Sequence, residues 1–176
     1  MSDPHIFSWD DSPARIPWSQ QLRESVKADL VRLEQGNPEG FISGYGVLPD
    51  ALKIKFWAEL LIAMAWRESN WKPGVIYHEP PPLGVDSVGL LQLSYEDEKP
   101  YKLEKLDRKA RSLEDPLVNL RCAVKILSKL VAQDKVVQFS GKDSYKGSPR
   151  YWSVMRKGAK HHLEEIRAKV TVAVGL

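Results

Sequence analysis

The sequence predicts a mainly α-helical, single globular domain. The chain has 176 residues, enough for one domain with a substantial core and hardly enough for two. Apolar residues make up 43% of it and charged residues 28%, the balance of a soluble globular protein. Three long segments repeat apolar residues at helical spacing, whereas the alternation typical of β-strands is scarce.

Residues 1–17 are predicted to be irregular and residues 18–176 to form the domain. Three prolines interrupt any helix in the first segment, while Phe7 and Trp9 are expected to pack against the domain. The segment is polar and lacks the apolar stretch of a secretory signal. No run of the chain is apolar and long enough to span a membrane.

A first helix is predicted from Ser19, which can cap it, to about Gln35, where Gly36 ends it. A glycine-rich loop follows over residues 36–49, and Asp50 is expected to cap a central helix. The apolar stripe of the first helix consists of Trp18, Leu22, Val26, Leu30 and Leu33.

The central helix, predicted over residues 51–66, carries an acid at an unusual position. Continuing the helical wheel places Glu68 within the apolar arc and near the C-terminal end. Burial and the negative end of the helix dipole both disfavour a charged carboxylate, so a raised pKa is expected. Such an acid can act as a general acid, although pairing with an arginine or a backbone amide is the more common role. The side of the helix expected to face solvent carries Lys53, Lys55, Glu59 and Arg67.

The second half of the chain contains one clear helix. It begins at Asp115-Pro116, an aspartate cap followed by proline at the first helical position. Before it, residues 94–112 are highly charged with both signs interleaved, which predicts solvated helices or a loop over a cleft rim. After it, residues 133–147 are predicted to be a polar loop, and residues 148–170 a final helix or helix pair that is interrupted near Gly158.

Three motifs resemble the lysozyme-like superfamily of soluble lytic transglycosylases and goose-type lysozymes. Those enzymes carry a Glu-Ser pair at the end of a buried helix, then a Gly-Leu-Met-Gln-Ile/Leu turn, then an Asp-Pro helix with an asparagine. The matching residues here are Glu68-Ser69, Gly89-Leu90-Leu91-Gln92-Leu93, and Asp115-Pro116 with Asn119. The order and rough spacing agree over residues 57–130.

The resemblance implies a lysozyme-like fold with a minimal sheet and a substrate cleft. It also implies cleavage of the β-1,4 bond between N-acetylmuramic acid and N-acetylglucosamine in peptidoglycan, without cofactor or metal. Glu68 would be the catalytic acid and base. The His78-Glu79 pair lacks the further spaced ligands of a metal site. The residues expected to contact the sugar are Ser69, Ser87, Gly89, Gln92 and Tyr151; the family's late Tyr-Asn pair is incomplete at Tyr151, so a core role for this ring stays open.

The reaction product depends on a second acid. Asp86 is the candidate, but it lies in a loop and a solvating role is more common for such a residue. An inadequately held Asp86 favours, by a small margin, lytic transglycosylation, in which the sugar's own 6-hydroxyl forms a 1,6-anhydro product. Goose-type hydrolysis is the alternative.

Two other functional classes are open to a chain of this composition. A non-catalytic glycan-binding module would keep the cleft, although the intact Glu68 argues against it. A basic helical nucleic-acid or protein-interaction domain fits the net charge of +3, but the interleaved acids weaken that interpretation. We therefore expect peptidoglycan strands as the partner, no nucleic acid, and a monomer.

The cellular setting follows from the predicted substrate. Cys122 is the single cysteine, which excludes an internal disulfide. A peptidoglycan-cleaving enzyme acts in the periplasm or outside the cell, and the route of export is left open by this sequence.

Overall fold

Five α-helices and two short antiparallel hairpins make up the part of the chain that a computed structural model describes, residues 3–176. The predicted mainly α class with a minimal sheet is confirmed. The helices are α1 (Ile16–Glu34), α2 (Asp50–Ser69), α3 (Glu98–Tyr101), α4 (Pro116–Asp134) and α5 (Leu163–Ala173), and the strands are β1 (Ile76–His78), β2 (Asp86–Val88), β3 (Gln138–Ser140) and β4 (Tyr145–Gly147).

Helix α2 runs through the centre of the fold. All its residues from Lys55 to Ala65 are buried, and α1 and α5 pack against it. A helix that is buried on all sides needs covering elements around its whole circumference. Helix α1 also packs along α4 and so joins the two halves of the chain. None of the helices described in residues 3–176 has the length and apolarity needed to cross a membrane.

The N-terminal segment covers a side of α2 that was expected to face solvent. Phe7 and Trp9 are buried in the core, as predicted. Between them, Ser8 donates to Glu59 through its backbone N–H (2.9 Å) and its hydroxyl (2.6 Å). Lys55 and Glu59 are therefore buried, and the prediction that they are solvent-facing was wrong. The helical wheel cannot detect a covering segment from another part of the chain.

The predicted helix caps were only partly right. Asp115 caps α4, because its carboxylate accepts from the Leu117 backbone N–H (2.8 Å). Asp50 is instead the first residue of α2, with Pro49 in the capping position. Ser19 lies inside α1, where its hydroxyl accepts from the indole of Trp9 (2.7 Å) rather than capping the helix.

The C-terminal third differs from its prediction in two places. Residues 138–147, expected to be a loop, contain the β3–β4 hairpin, in which Phe139 pairs with Lys146. Residues 148–155 form two short 3₁₀ turns rather than a helix, and α5 begins only at Leu163. Pro149 is the second residue of the first turn. Gly158 has a positive φ of 129° and lies between the second turn and α5, so the predicted interruption near this residue is confirmed.

The Gly89–Leu93 turn lies between α2 and α4 and is held by one buried amide. The side chain of Asn119 donates to the carbonyls of Val88 and Leu113 (2.9 Å each) and accepts from the Leu91 N–H (3.0 Å). Gly89 has a φ of 79°, and a Cβ placed on it would lie 2.4 Å from the Asn119 amide nitrogen. Close contact between the turn and α4 therefore requires glycine at this position.

We predict that Gly89→Ala lowers the free energy of unfolding by about 3 kcal/mol or more, because the added methyl group meets Asn119 in a strained backbone conformation. The matched control is Gly74→Ala, since Gly74 has no atom within 4 Å of the added Cβ. That control should change stability by less than about 1 kcal/mol. Chemical denaturation of both variants measures the difference, and equal midpoints would refute the close approach.

Candidate active site

Glu68 lies in the last turn of α2, where the chain reverses direction. Asn70 and Trp71 adopt positive φ angles of 54° and 57°, which end the helix. The indole N–H of Trp71 donates to the Ile62 carbonyl (2.9 Å) and holds the chain back along α2. These contacts fix the end of the helix and the place from which the Glu68 side chain projects.

The carboxyl group of Glu68 is half-buried and unpartnered. Within residues 3–176 it accepts no hydrogen bond and pairs with no cation. Burial raises its pKa to about 7, and the negative charge of Glu79 adds to the shift. Such an acid most often pairs with an arginine or an amide, but no such partner of Glu68 lies in the described residues.

The β1–β2 hairpin brings Glu79 to this acid. Tyr77 pairs with Ser87 across the hairpin, and Glu79 follows two residues after Tyr77, with its N–H bonded to the Val85 carbonyl (2.9 Å). Alternation along a strand places Tyr77, Ser87 and Glu79 on one face. The Ser87 hydroxyl donates to the Glu79 carboxylate (3.0 Å) and so orients it.

Asp86, the second acid considered from the sequence, lies on the opposite face of the hairpin. It pairs in register with His78, whose Nδ1 is 2.6 Å from its carboxylate, and the Arg108 guanidinium is 3.6 Å away. The electrostatic neighbour of Glu68 is Glu79 instead. Sequence reasoning weighed Glu79 only as a metal ligand with His78. The signal that could have singled it out is its alternation with Tyr77, provided that the strand register were known.

The Gly89–Leu93 turn, which we call the floor, is attached to the end of α2 next to Glu68. The buried hydroxyl of Ser69 lies 2.9 Å from the Leu90 carbonyl and 3.1 Å from the Ala65 carbonyl and shares its one hydrogen between them, which joins α2 to the turn. The Gln92 amide donates to the carbonyls of Val75 (3.1 Å) and Gly89 (2.9 Å) and remains partly exposed. Ser69 and Gly89 thus shape the floor from within, and Gln92 ties it to the start of the hairpin.

The segment that carries these residues matches a known protein family. Residues 50–145 match the family model described as the transglycosylase SLT domain. The chain belongs to this family. SLT domains have transglycosylase-like activity on peptidoglycan, a cell-wall polymer, which accords with the periplasmic or extracellular setting expected from the sequence. The predicted resemblance is confirmed.

Solved structures of the protein DslA share the fold of this SLT domain. The wild-type structure, form 2, is 31% identical, with a TM-score of 0.83 and 97% of each chain covered. Two glutamate-to-glutamine mutants of DslA are 30% and 29% identical, with TM-scores of 0.82 and 0.77 and the same coverage. The glutamates replaced in these two mutants lie eleven positions apart. No curated protein sequence matches the chain significantly.

Tyr151 lies beside the floor of the SLT domain and is held by an acid. Its hydroxyl donates to the carboxylate of Asp97, and its ring packs against Tyr101 and Trp152. Burial raises the pKa of Tyr151 well above its ordinary value, and also raises that of Asp97. The Trp152 indole N–H donates to the Leu91 carbonyl (2.9 Å), which attaches this segment to the turn.

The one cysteine of the chain, Cys122, is buried. Burial raises the pKa of the Cys122 thiol to about 12, so it stays protonated and a poor nucleophile at neutral pH. No group of three or more His, Cys, Asp and Glu side chains within residues 3–176 is placed to hold a metal ion.

We predict that Glu68→Gln stabilises the protein at pH 8. The pKa of Glu68 rises on folding from 4.5 to about 7, so ionisation between those values lowers the free energy of unfolding as the pH rises. Removing the ionisable group should therefore raise the free energy of unfolding at pH 8 by about 1–3 kcal/mol. Below pH 4.5 both folded and unfolded wild-type chains are protonated, and the difference between the proteins should shrink.

Denaturant titrations of wild type and variant at pH 4 and pH 8 measure this effect. Glu24→Gln serves as the matched control, because it removes one carboxylate from an exposed position of α1. A Glu68→Gln protein that is no more stable than wild type at pH 8 would contradict the raised pKa.

Proposed function

We propose that this SLT domain cleaves the β-1,4 bond between N-acetylmuramic acid and N-acetylglucosamine in peptidoglycan. The observation that carries the proposal is the half-buried, unpartnered Glu68, whose pKa is raised to about 7 beside a second carboxylate. An acid with this pKa is substantially protonated at neutral pH and can donate to the leaving glycosidic oxygen. After bond cleavage the same carboxylate can accept a proton.

The second carboxylate in the proposal is Glu79. Its hydrogen bond from Ser87 orients it, and its charge acts on Glu68. Glu68 and Glu79 are eleven positions apart, the same separation as the two glutamates replaced in the DslA mutants. This agreement supports a paired role. Glu79 would orient a water molecule or stabilise the positive charge that develops on the sugar.

With a second carboxylate held by the hairpin, hydrolysis becomes the favoured route. The sequence argument for a 1,6-anhydro product depended on Asp86 being inadequately held, and Glu79 supplies a better-oriented acid. Lytic transglycosylation remains the second candidate because the matching family model is that of a transglycosylase. In that route Glu68 takes the proton from the 6-hydroxyl of the substrate and no water is activated.

We propose that the sugar contacts lie on the β1–β2 hairpin and along the floor. Ser87 and Tyr77 share the hairpin face of Glu79, and the Tyr77 ring is 55% exposed, so it can stack on a sugar ring. Gln92 offers its free carbonyl oxygen from the floor, and Tyr151 packs against Trp152, whose indole is bonded to the floor at Leu91. Ser69 and Gly89 act through the turn that they position. We also propose that the domain works as a monomer.

We predict that Glu68→Gln reduces turnover of soluble peptidoglycan fragments by about 10²–10⁴-fold with substrate binding retained, because glutamine keeps the shape and loses the proton. Wild-type turnover should fall tenfold per pH unit well above pH 7, as Glu68 ionises. Chromatography of released fragments against pH checks both expectations. A Glu68→Gln protein with near-normal turnover would exclude this acid, and retained binding without any wild-type turnover would favour a glycan-binding module.

We predict that Glu79→Gln also loses turnover, by about 10²-fold or more, if Glu79 activates water. Asp86→Asn is the matched control, because it removes a carboxylate from the other face of the same hairpin. Its turnover should stay within about threefold of wild type, the effect of a surface change of less than 1 kcal/mol. The opposite ranking of these two variants would make Asp86 the second acid.

The product distinguishes the two routes. Hydrolysis leaves reducing ends that borohydride reduces, whereas transglycosylation leaves 1,6-anhydro ends that resist reduction. We expect mass spectrometry of wild-type digests to find reducible ends. Anhydro ends, with turnover surviving in Glu79→Gln, would establish the transglycosylase route while leaving the role of Glu68 intact.

A further inference from the structure

The positive charge of the chain is concentrated in one stretch. Residues 135–162 contain seven lysines and arginines and one acid, a net charge of +6, whereas the whole chain has +3. The rest of the chain is therefore net negative. The cations of this stretch are Lys135, Lys142, Lys146, Arg150, Arg156, Lys157 and Lys160.

Folding gathers most of these cations on one surface. The N–H of Lys157 donates to the Ser140 hydroxyl (3.1 Å), and the Arg156 guanidinium lies 4.2 Å from the centre of the Tyr145 ring. These contacts hold the loop of residues 156–162 against the β3–β4 hairpin. We call the result the basic hairpin surface; its cations are Lys142, Lys146, Arg156, Lys157 and Lys160.

The cations of the basic hairpin surface form no ion pair within residues 3–176, although Asp134 attracts Lys146 at longer range. No carboxylate within residues 3–176 lies within 4 Å of any of the five charged groups, in contrast to ion pairs such as Lys125–Asp29 (2.7 Å) and Arg121–Glu104 (2.8 Å). Other exposed lysines also lack an ion pair, but these five cations are gathered on one hairpin and the loop packed against it. Arg150 forms an ion pair with Asp134, so we do not count it among the cations of this surface. All four lysines of the surface are exposed. Unpaired cations of one sign create a positive potential that attracts an anionic partner.

Two aromatic rings lie among these cations. Phe139 is 45% exposed and Tyr145 is 39% exposed. Phe139 and Lys146 pair across the hairpin, and the Lys146 ammonium is 5.7 Å from the centre of the Phe139 ring. Aromatic faces can lie against the apolar faces of sugar rings, and the flanking ammonium groups can bind carboxylates. The surface thus combines the two contacts that a glycan bearing acidic substituents requires.

We propose that the basic hairpin surface binds the carboxylates of the peptide stems on peptidoglycan strands. The choice of polymer rests on the proposed function, since the same chain would cleave that polymer. The surface is on a different hairpin from the one that carries Glu79, so it retains the enzyme on the insoluble polymer without taking part in bond cleavage. Each strand repeats its carboxylates, so several lysines can bind one strand at once.

The test measures retention on purified sacculi, in a Glu68→Gln background so that the polymer is not digested. One variant carries Lys142→Gln, Lys146→Gln, Lys157→Gln and Lys160→Gln. The control variant carries Lys27→Gln, Lys102→Gln, Lys105→Gln and Lys109→Gln, the same loss of charge from exposed lysines elsewhere. Co-sedimentation at 50 mM salt should show binding at least about tenfold weaker for the first variant and within about twofold of the parent for the control.

Chemical amidation of the stem carboxylates identifies the partner group. Amidated sacculi should bind the parent protein as weakly as untreated sacculi bind the hairpin variant. Equal retention of the hairpin and control variants overturns the proposal, as does unchanged binding to amidated sacculi.

Duplex DNA serves as a competing polyanion of another chemical class. If it binds the parent protein more tightly than sacculi do, through the same lysines, then the surface is a nucleic-acid site and the proposal fails.

Turnover of soluble fragments separates this proposal from the proposed function. With Glu68 intact, the hairpin variant should keep soluble turnover within about twofold of wild type while losing activity on sacculi. If wild type cleaves soluble fragments but retention does not depend on the hairpin lysines, the surface proposal fails and the function stands. If retention depends on these lysines and wild type cleaves nothing, the function fails and the surface stands.

Discussion

The side chain of Asn119 is the contact on which the site depends. Its amide makes three hydrogen bonds in a buried place, two as donor and one as acceptor. Since an unpaired buried amide is costly, the turn has one low-energy position on α4. Ser69 then ties the end of α2 to the same turn through the Leu90 carbonyl. The place of Glu68 is set by this series of backbone contacts rather than by any contact of its own carboxylate.

The energetics of α2 explain how an unfavourable acid is tolerated. A half-buried carboxyl group without a partner lowers stability whenever it is ionised. The helix that carries it is buried along eleven consecutive residues, from Lys55 to Ala65, and is covered by α1, α5 and the N-terminal segment. The large apolar surface that α2 buries offsets the free-energy cost of one half-buried carboxylate. Stability and chemistry are therefore supplied by different parts of the same helix.

Charge is divided between two hairpins in this SLT domain. The β1–β2 hairpin presents Glu79 beside Glu68, where the negative charge of Glu79 disfavours the ionised form of Glu68. The β3–β4 hairpin presents lysines that form no ion pair within residues 3–176. The small net charge of the chain conceals this separation, because opposite local excesses cancel in the sum.

The sequence by itself determined the features that depend on local periodicity. The apolar repeats predicted the long helices, Asp115 and Pro116 predicted the start of α4, and the helical wheel placed Glu68 on the buried arc. The motifs around Glu68, Gly89 and Asn119 indicated the family. Each of these signals lies within a few helical turns or a single short motif, so no knowledge of distant contacts was needed.

Only the tertiary structure decided the features that depend on pairing between distant segments. The register of the β1–β2 hairpin, a property of two strands, turned Glu79 toward Glu68 and Asp86 away. The burial of Lys55 and Glu59 required Ser8 and its neighbours to lie across α2, about 50 positions away in the chain. The β3–β4 hairpin formed where polar composition had predicted a loop. Such contacts are set by the packing of the whole chain, which local patterns do not encode.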